Sequence, residues 1–280
     1  ETNNQAIRQM LAIQKHRGPD DSGIVAINTQ NKTFENVTID NDTSFQTAND
    51  VVLGFNRLSI LDLSPMGHQP MVSPDQKVVL IMNGEIYNAF DFQAELEQKG
   101  HTFKSTSDTE IVLHLYLEYG MEKMIRLLNG MFALAIYDLN LDTLFLARDR
   151  FGIKPLYLLK EEGRIAFASE MKSFKALPDF KFEADYTNLD EFLLFRNVIN
   201  NTLFKKISNC IPGTYLSIKN GAIATHTYYD INQEGNQTIA KKEAKNALEN
   251  ALKKSVASQM ISDVKLGSQL SGGVDSSLVS

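Results

Sequence analysis

The 280 residues contain a single cysteine, Cys210, so no internal disulfide can form and a reducing, cytoplasmic setting is expected. No apolar run approaches the ~20 residues that a membrane-spanning helix requires. Positive charge is scarce too: 28 Lys and Arg face 34 Asp and Glu, a net charge of −6. A nucleic-acid binder carries a basic patch or a basic excess, and the densest cluster here is only Lys241, Lys242 and Lys245. Internal repeats and low-complexity tracts are absent. His16, His68, His101, His114 and His226 lie far apart without metal-ligand spacing, and loop or helix-surface roles are expected for them. What is present is ordinary for a soluble globular chain, 43% hydrophobic and 22% charged. At about 150 residues per domain the length suggests two domains.

Apolar spacing predicts a helix over 4–15, broken by His16-Arg17-Gly18-Pro19-Asp20-Asp21, then a strand over 22–28. Residues 29–50 are polar and read as a weak hairpin or loop. Strands are predicted at 51–55 and 78–82, and a helix over 89–99 closed by Gly100. Ser107-Asp108-Thr109-Glu110 has the form of a capping box before a helix that Gly120 would end. A hairpin over 131–139 and 143–148 and strands at 156–159 and 165–169 follow. Residues 175–235 mix a short helix at 189–195 with turns and a hairpin. The clearest helix spans 239–261, with Ala244, Leu248, Ala251, Leu252 and Val256 in register, and a strand over 264–270 follows it. Residue 1 is Glu and the chain stops inside a predicted helix, so it reads as an internal piece of a longer protein.

Ser271-Gly272-Gly273-Val274-Asp275-Ser276-Ser277 is the sharpest motif. A Gly-rich loop between strand and helix lets backbone N–H groups approach an anion, with the helix N-terminus behind them. Asp275 would sit badly against phosphate unless Mg²⁺ lay between them. No Lys follows the glycines, which excludes a Walker A loop. The motif resembles the pyrophosphatase loop of enzymes that cleave ATP to AMP and pyrophosphate.

A second constellation lies in the first half: Arg57-Leu58-Ser59-Ile60-Leu61-Asp62, Gly67-His68-Gln69-Pro70, Asn83-Gly84-Glu85-Ile86-Tyr87-Asn88 and Ser107-Asp108-Thr109-Glu110. Arg57 can clamp a carboxylate by two parallel bonds, and Asp108 and Glu85 can accept from an ammonium group. Asn83 with the Gly84 N–H can donate to a developing oxyanion. Together these suit an amino acid with a side-chain amide. From the residues alone a plainer reading stands beside this one, because Asn-Gly is a turn dipeptide and Asp108 lies in a capping box.

With His16-Arg17-Gly18-Pro19-Asp20, Gly130-Met131-Phe132-Ala133, Ala147-Arg148-Asp149-Arg150-Phe151-Gly152-Ile153-Lys154-Pro155-Leu156-Tyr157 and Phe167-Ala168-Ser169-Glu170-Met171-Lys172, these segments resemble the glutaminase domain of class II amidotransferases. Joined to the loop at 271–277, the order resembles glutamine-hydrolysing asparagine synthetases. The resemblance implies a four-layer αββα sandwich of N-terminal-nucleophile type over residues 1–180. A connecting hairpin over 181–237 and the first helix, strand and loop of an α/β ATP-pyrophosphatase domain from 238 would follow. It implies that Arg57, Leu58, Ser59, Ile60, Leu61, Asn83, Gly84, Glu85 and Asp108 bind glutamine, with Asn83 and Gly84 as oxyanion hole. Leu270, Ser271, Gly272, Gly273, Val274, Asp275 and Ser276 would hold ATP, with Asp275 on Mg²⁺. The implied partners are glutamine, aspartate and ATP, with no nucleic acid or membrane, and assembly into a homo-oligomer is left open. Ammonia released at the first site would displace AMP from an aspartyl-adenylate at the second.

The family's nucleophile is an N-terminal cysteine whose own α-amine serves as base, a pairing that suits their ordinary pKa values of about 8.5 and 7.7–8.0. Only fifteen residues precede His16 and they already read as helix, so the first strand and the nucleophile are expected to be missing. Cys210 is internal, carries no α-amine and reads as a small buried hydrophobe. Tyr228 and Tyr229 read as strand packing; Phe90, Phe92, Phe103, Phe132, Phe145 and Phe151 read as core. Arg148, Asp149 and Arg150 read as solvated ion pairs. Two rival readings are a β-lactam synthetase-like amide-forming homologue and a non-catalytic glutamine sensor. The intact glutamine-pocket residues weigh against the first, and the loop at 271–277 weighs against the second.

Overall fold

A computed structural model describes residues 2–37, 49–198, 201–233 and 238–280. In chain order the elements are α1 (Thr2–Ile13), β1 (Asp21–Asn28), β2 (Thr33–Val37), β3 (Val51–Arg57), β4 (Met71–Val72), β5 (Val78–Ile86), α2 (Gln93–Gln98), α3 (Asp108–Leu127) and β6 (Gly130–Asp138). Then follow β7 (Thr143–Arg148), β8 (Tyr157–Glu161), β9 (Arg164–Ala168), α4 (Leu189–Phe195), β10 (Ile207–Asn209), β11 (Thr214–Lys219), β12 (Ala222–Thr227), α5 (Lys241–Ser258) and α6 (Val274–Val279). No helix among the described residues is long and apolar enough to cross a membrane.

One sheet has six strands in the order β12-β11-β7-β6-β5-β4, and two smaller sheets run β2-β1-β3 and β10-β8-β9. Every pairing is antiparallel. Side chains alternate across a strand, so a strand buried on both faces reads as a continuous apolar run. β5 does this: Val78, Leu80 and Met82 pack with Ile111, Leu115 and Met124 of α3, while Val79 and Ile81 pack with Val25, Ile27, Leu53 and Leu158 of the smaller sheets. On the far side, Ile7 and Leu11 of α1 lie over Gly54 of β3, where a Cβ would meet Ile7 at 2.9 Å. The order is therefore helices, sheet, paired small sheets, helix, the αββα sandwich that the resemblance implied.

Several elements depart from expectation. Gly120, at φ 70° and ψ 174°, ends a helical run as expected, but a second run to Leu127 follows directly across the kink and buries Met121, Met124 and Ile125 in the core. The hairpin expected within 181–237 forms as β11 and β12, and β11 pairs along β7, which places it inside the large sheet. The polar stretch 29–50 contains β2, while its residues 38–48 lie outside the described part. Residues 264–270 do not form the expected strand: they are exposed, and no described strand lies beside them to complete a hydrogen-bond ladder. α5 forms as predicted but has no buried residue among those described.

Leu80 is fully buried between α3 and the sheet. Leu80→Ala should cost about 2–5 kcal/mol through lost contacts and a residual cavity. Urea unfolding measures it, and a loss below about 1 kcal/mol would place Leu80 outside the core.

Candidate functional site

The site is built on the edge of β5 that faces away from β6. The N–H of Met82 donates to Gln69 Oε1 at 2.7 Å, and the N–H of Ile86 donates to an Asp108 carboxylate oxygen at 2.8 Å. In an antiparallel strand alternate N–H groups point the same way, so the N–H of Gly84, midway between these two, faces the same edge. No side chain among the described residues takes it. Gly84 is required there by close packing, since a Cβ would lie 2.1 Å from the carbonyl oxygen of Met131 on β6. The neighbouring Asn83 lines an inter-sheet cleft with Ile81.

Two carboxylates flank this gap. Asp108 opens α3 and is 4% exposed. Burial pushes its pKa up to about 6, against the pull of the Ile86 and Thr109 N–H groups, and the charge of Glu85 pushes the same way. Burial also raises Glu85, opposed by the charge of Lys154. Two carboxylates whose pKa values are raised, Asp108 partly by the charge of Glu85, make a site where a bound ammonium group would relieve both. The helix start is held by Ser107, whose hydroxyl accepts from the Thr109 N–H at 3.2 Å. The expected capping box is only half formed. Glu110 accepts instead from the N–H groups of Lys104 and Ser105 and the Ser105 hydroxyl. Burial would raise Glu110, but hydrogen bonds from His114, Ser105 and Lys104 outweigh it and hold its pKa at about 2.

Arg57 is buried at the end of β3, and its guanidinium donates to the carbonyls of Leu61, Asp62 and Ser64. Both hydrogens of Nη2 are used, and either two-donor edge of a guanidinium includes Nη2. The two-point carboxylate clamp expected of Arg57 is therefore not formed; the side chain braces the 61–64 loop. Gly67 permits this, because a Cβ there would lie 2.0 Å from Arg57 Nη2. Leu58 is 55% exposed, and the Ser59 N–H is held by Asp20 at 2.8 Å. The carbonyls of Ile60 and Leu61 accept from Asp263 N–H and Arg57 respectively. Asp62, at φ 52°, ties the loop to the start of α3: its carboxylate accepts from the N–H groups of Ser64 and Thr106.

Around this lies a cleft of about 860 Å³ between β3 and β9, floored by Asn83 and neighbouring residues of the large sheet and covered by α1. β3 and β9 are unpaired on their facing edges, since each ends its own three-stranded sheet. At the cleft's rim Glu170 meets His16 at 3.0 Å, Arg17 at 3.1 Å and Lys172 at 2.9 Å. Burial would raise Glu170, but these three groups hold its pKa at about 2.

The Arg148-Asp149-Arg150 triplet is not a set of solvated ion pairs. Asp149 is wholly buried and accepts from the N–H groups of Phe132, Phe151, Ile153 and Lys154, while Arg148 donates to the carbonyls of Gly152, Lys154 and Cys210. A buried carboxylate needs such donors, and these fold the loop that carries Lys154 to Glu85. Phe151 is 65% exposed rather than core, and His114 is buried against His101 and Phe103 rather than on the surface. Tyr228 anchors through its hydroxyl to the Arg148 carbonyl. Cys210 packs in the inter-sheet core, and burial pushes its thiol up to about 12, unsuited to a nucleophile.

The loop at 271–277 is exposed and leads into α6. Gly272 takes φ 81°, and the hydroxyls of Ser276 and Ser277 both donate to the Gly273 carbonyl. Leu270, Val274 and Asp275 are solvent-facing. Asp275 offers one carboxylate, and no group of three or more His, Cys, Asp or Glu among the described residues could hold a metal. That donor set fits Mg²⁺ held mainly by substrate phosphates rather than by a protein-built cage. No described hydrogen bond joins residues 270–276 to Asn83, Gly84, Glu85 or Asp108. Asp62 and Gln69 belong to the constellation read from the sequence but were given no role there; Lys154 and Glu170 lie in the segments that carry the resemblance, and Asp263 lies in no motif.

Residues 27–229 match the glutamine amidotransferase domain family, and residues 247–280 match the asparagine synthase family. The chain is 37% identical over 277 residues to asparagine synthetase [glutamine-hydrolyzing] 1 of Bacillus subtilis, a match covering 98% of this chain and 40% of the relative. It is 33% identical over 279 residues to asparagine synthetase [glutamine-hydrolyzing] 3 of the same organism, covering 98% and 42%. The chain thus spans about two-fifths of the length of these relatives. Among solved structures, the glutamine phosphoribosylpyrophosphate amidotransferase from B. subtilis superposes with a TM-score of 0.60 at 20% identity, over 85% of this chain and 49% of that one, a likeness of fold.

The raised pKa of Asp108 makes stability pH-dependent. Its folded value of about 6 exceeds the ordinary 3.8, so the native state binds the extra proton between these values. Stability should fall as pH rises through that window and then level off. Asp108→Asn removes the ionisation while keeping an acceptor for Ile86. It should flatten this slope and stabilise the chain at pH 7 by about 1–3 kcal/mol, given about 1.4 kcal/mol per pKa unit. Thermal melts from pH 4 to 7 test it; an unchanged slope would mean Asp108 does not carry the shift.

Proposed function

Because the chain belongs to the glutamine amidotransferase family, we propose that its first site releases ammonia from glutamine and that the longer protein uses it for ATP-dependent conversion of aspartate to asparagine. The observation that carries the reading is the open Gly84 N–H on the β5 edge, flanked by two carboxylates whose pKa values are raised. In this reading the glutamine α-ammonium sits between Asp108 and Glu85. Its amide oxygen takes the Gly84 N–H and the Asn83 side chain as negative charge develops. Arg57 acts mainly by fixing the 61–64 loop, and Leu58, Ser59, Ile60 and Leu61 form the wall beside the substrate.

The nucleophile is the thiolate of an N-terminal cysteine on a strand seated in the β3–β9 cleft, which would pair with both open edges and bring its end to Asn83. The thiolate attacks the amide carbon, ammonia leaves, and water then frees glutamate from the thioester. At the second site the backbone of residues 270–276 cradles ATP. Asp275 would hold Mg²⁺, which when bound neutralises charge on the departing pyrophosphate. Aspartate is adenylated there, and ammonia displaces AMP to give asparagine. A cytoplasmic enzyme fits the single buried thiol.

A paired substitution in the longer protein separates the two sites. Asp108→Ala should weaken glutamine ten- to hundredfold, from a charged hydrogen bond worth about 1.5–3 kcal/mol, and leave ammonia-dependent synthesis intact. Asp275→Ala should abolish aspartate-dependent ATP–pyrophosphate exchange and leave glutamate release intact. If Asp108→Ala lowers ammonia-dependent synthesis equally, Asp108 does not belong to a glutamine pocket; normal exchange in Asp275→Ala would make the 271–277 loop a structural turn.

A further inference from the structure

The segment after α5 reaches back to the first site. The Asp263 N–H donates to the Ile60 carbonyl at 3.0 Å, and its carboxylate accepts the Asp62 N–H at 2.7 Å. The second of these bonds joins residues 201 positions apart in sequence. It falls on Asp62, whose other polar groups are already committed. The Asp62 carbonyl is taken by Arg57, and its carboxylate is taken by Ser64 and by the Thr106 N–H, two residues before Asp108. Asp62 also holds a left-handed backbone, φ 52°, which costs energy for a residue other than glycine and persists only where surrounding bonds fix it.

We infer that Asp263 is a positioning residue for the glutamine pocket, supplied by the asparagine-synthase part of the chain. It fixes the Asp62 N–H, Asp62 fixes Thr106 and the 61–64 loop, and these hold Asp108 and Arg57 in place. Only the bond to Ile60 uses Asp263's backbone; the bond to Asp62 needs its carboxylate. The pocket in the first domain is thereby completed from the second. Because linkage is reciprocal, glutamine binding should in turn secure the segment around Asp263, which lies eight residues before Ser271. The effect on glutamine rests on the proposed reading; the effect on backbone order does not.

The test uses amide hydrogen exchange and calorimetric glutamine titration on the chain, with Asp263→Ala and Asp263→Asn. Asp263→Ala should speed exchange at the Asp62 and Thr106 amides at least tenfold and weaken glutamine three- to tenfold. Asp263→Asn, which keeps a carbonyl acceptor, should restore most of both. Glutamine should slow exchange at the Asp263 amide in the unsubstituted chain. Unchanged exchange at Asp62 and Thr106 in Asp263→Ala overturns the inference. So does full glutamine affinity in Asp263→Ala or failure of Asp263→Asn to restore it. Faster exchange with no glutamine binding to the unsubstituted chain would instead overturn the glutamine reading and leave the positioning role standing.

Discussion

The Asp108 carboxylate at the start of α3 accepts the N–H of Ile86 and thereby pins a helix to the edge of a strand. The rest of the site is arranged around that bond. Toward its N-terminal end β5 is covered by β4 and then by the Gln69 side chain; toward its C-terminal end it is covered by Asp108. What remains between is one backbone donor at Gly84, with Asn83 beside it facing the cleft. Burying Asp108 is costly to the folded state near neutral pH, and its raised pKa measures that cost. An ammonium ligand would offset it, so the same group that weakens the empty protein favours the filled one.

Much of the fold was legible because it rests on local rules. The apolar run at 78–82 marked β5 as a strand, which the structure buries on both faces, and the Ser107 cap marked where α3 begins. Readings failed where tertiary partners overrode the local signal. Gly120 ends one helical run, yet a second run follows it directly and carries Met121, Met124 and Ile125 into the core. Glu110 has the spacing to cap Ser107 but finds better donors at 104 and 105. Asp149 looks like half of an ion pair and is a buried acceptor for four backbone N–H groups, which no spacing rule reveals. Residues 264–270 have the composition of a strand but find no strand to pair with among the described residues.

The site residues divide in the same way. Motifs located Asn83, Gly84, Glu85 and Asp108, and the structure gathers them along one strand edge and one helix start. Arg57 was located but not these contacts: three backbone carbonyls occupy its guanidinium, which braces the 61–64 loop. Asp263 belongs to no motif, because its partner groups are backbone atoms in a loop at the far end of the chain. Contacts of that kind appear only once the chain is folded.

The central claim is that the β5 edge at Gly84 is where glutamine binds. A titration of the ¹⁵N-labelled chain with L-glutamine, followed by amide chemical shifts, tests it most directly. The account predicts saturable shifts concentrated at Gly84, Glu85, Ile86 and Asp108, with little change in the core of α3 and none at 271–277. Shifts confined to other surfaces, or a Gly84 amide that stays still while the chain saturates, would contradict it.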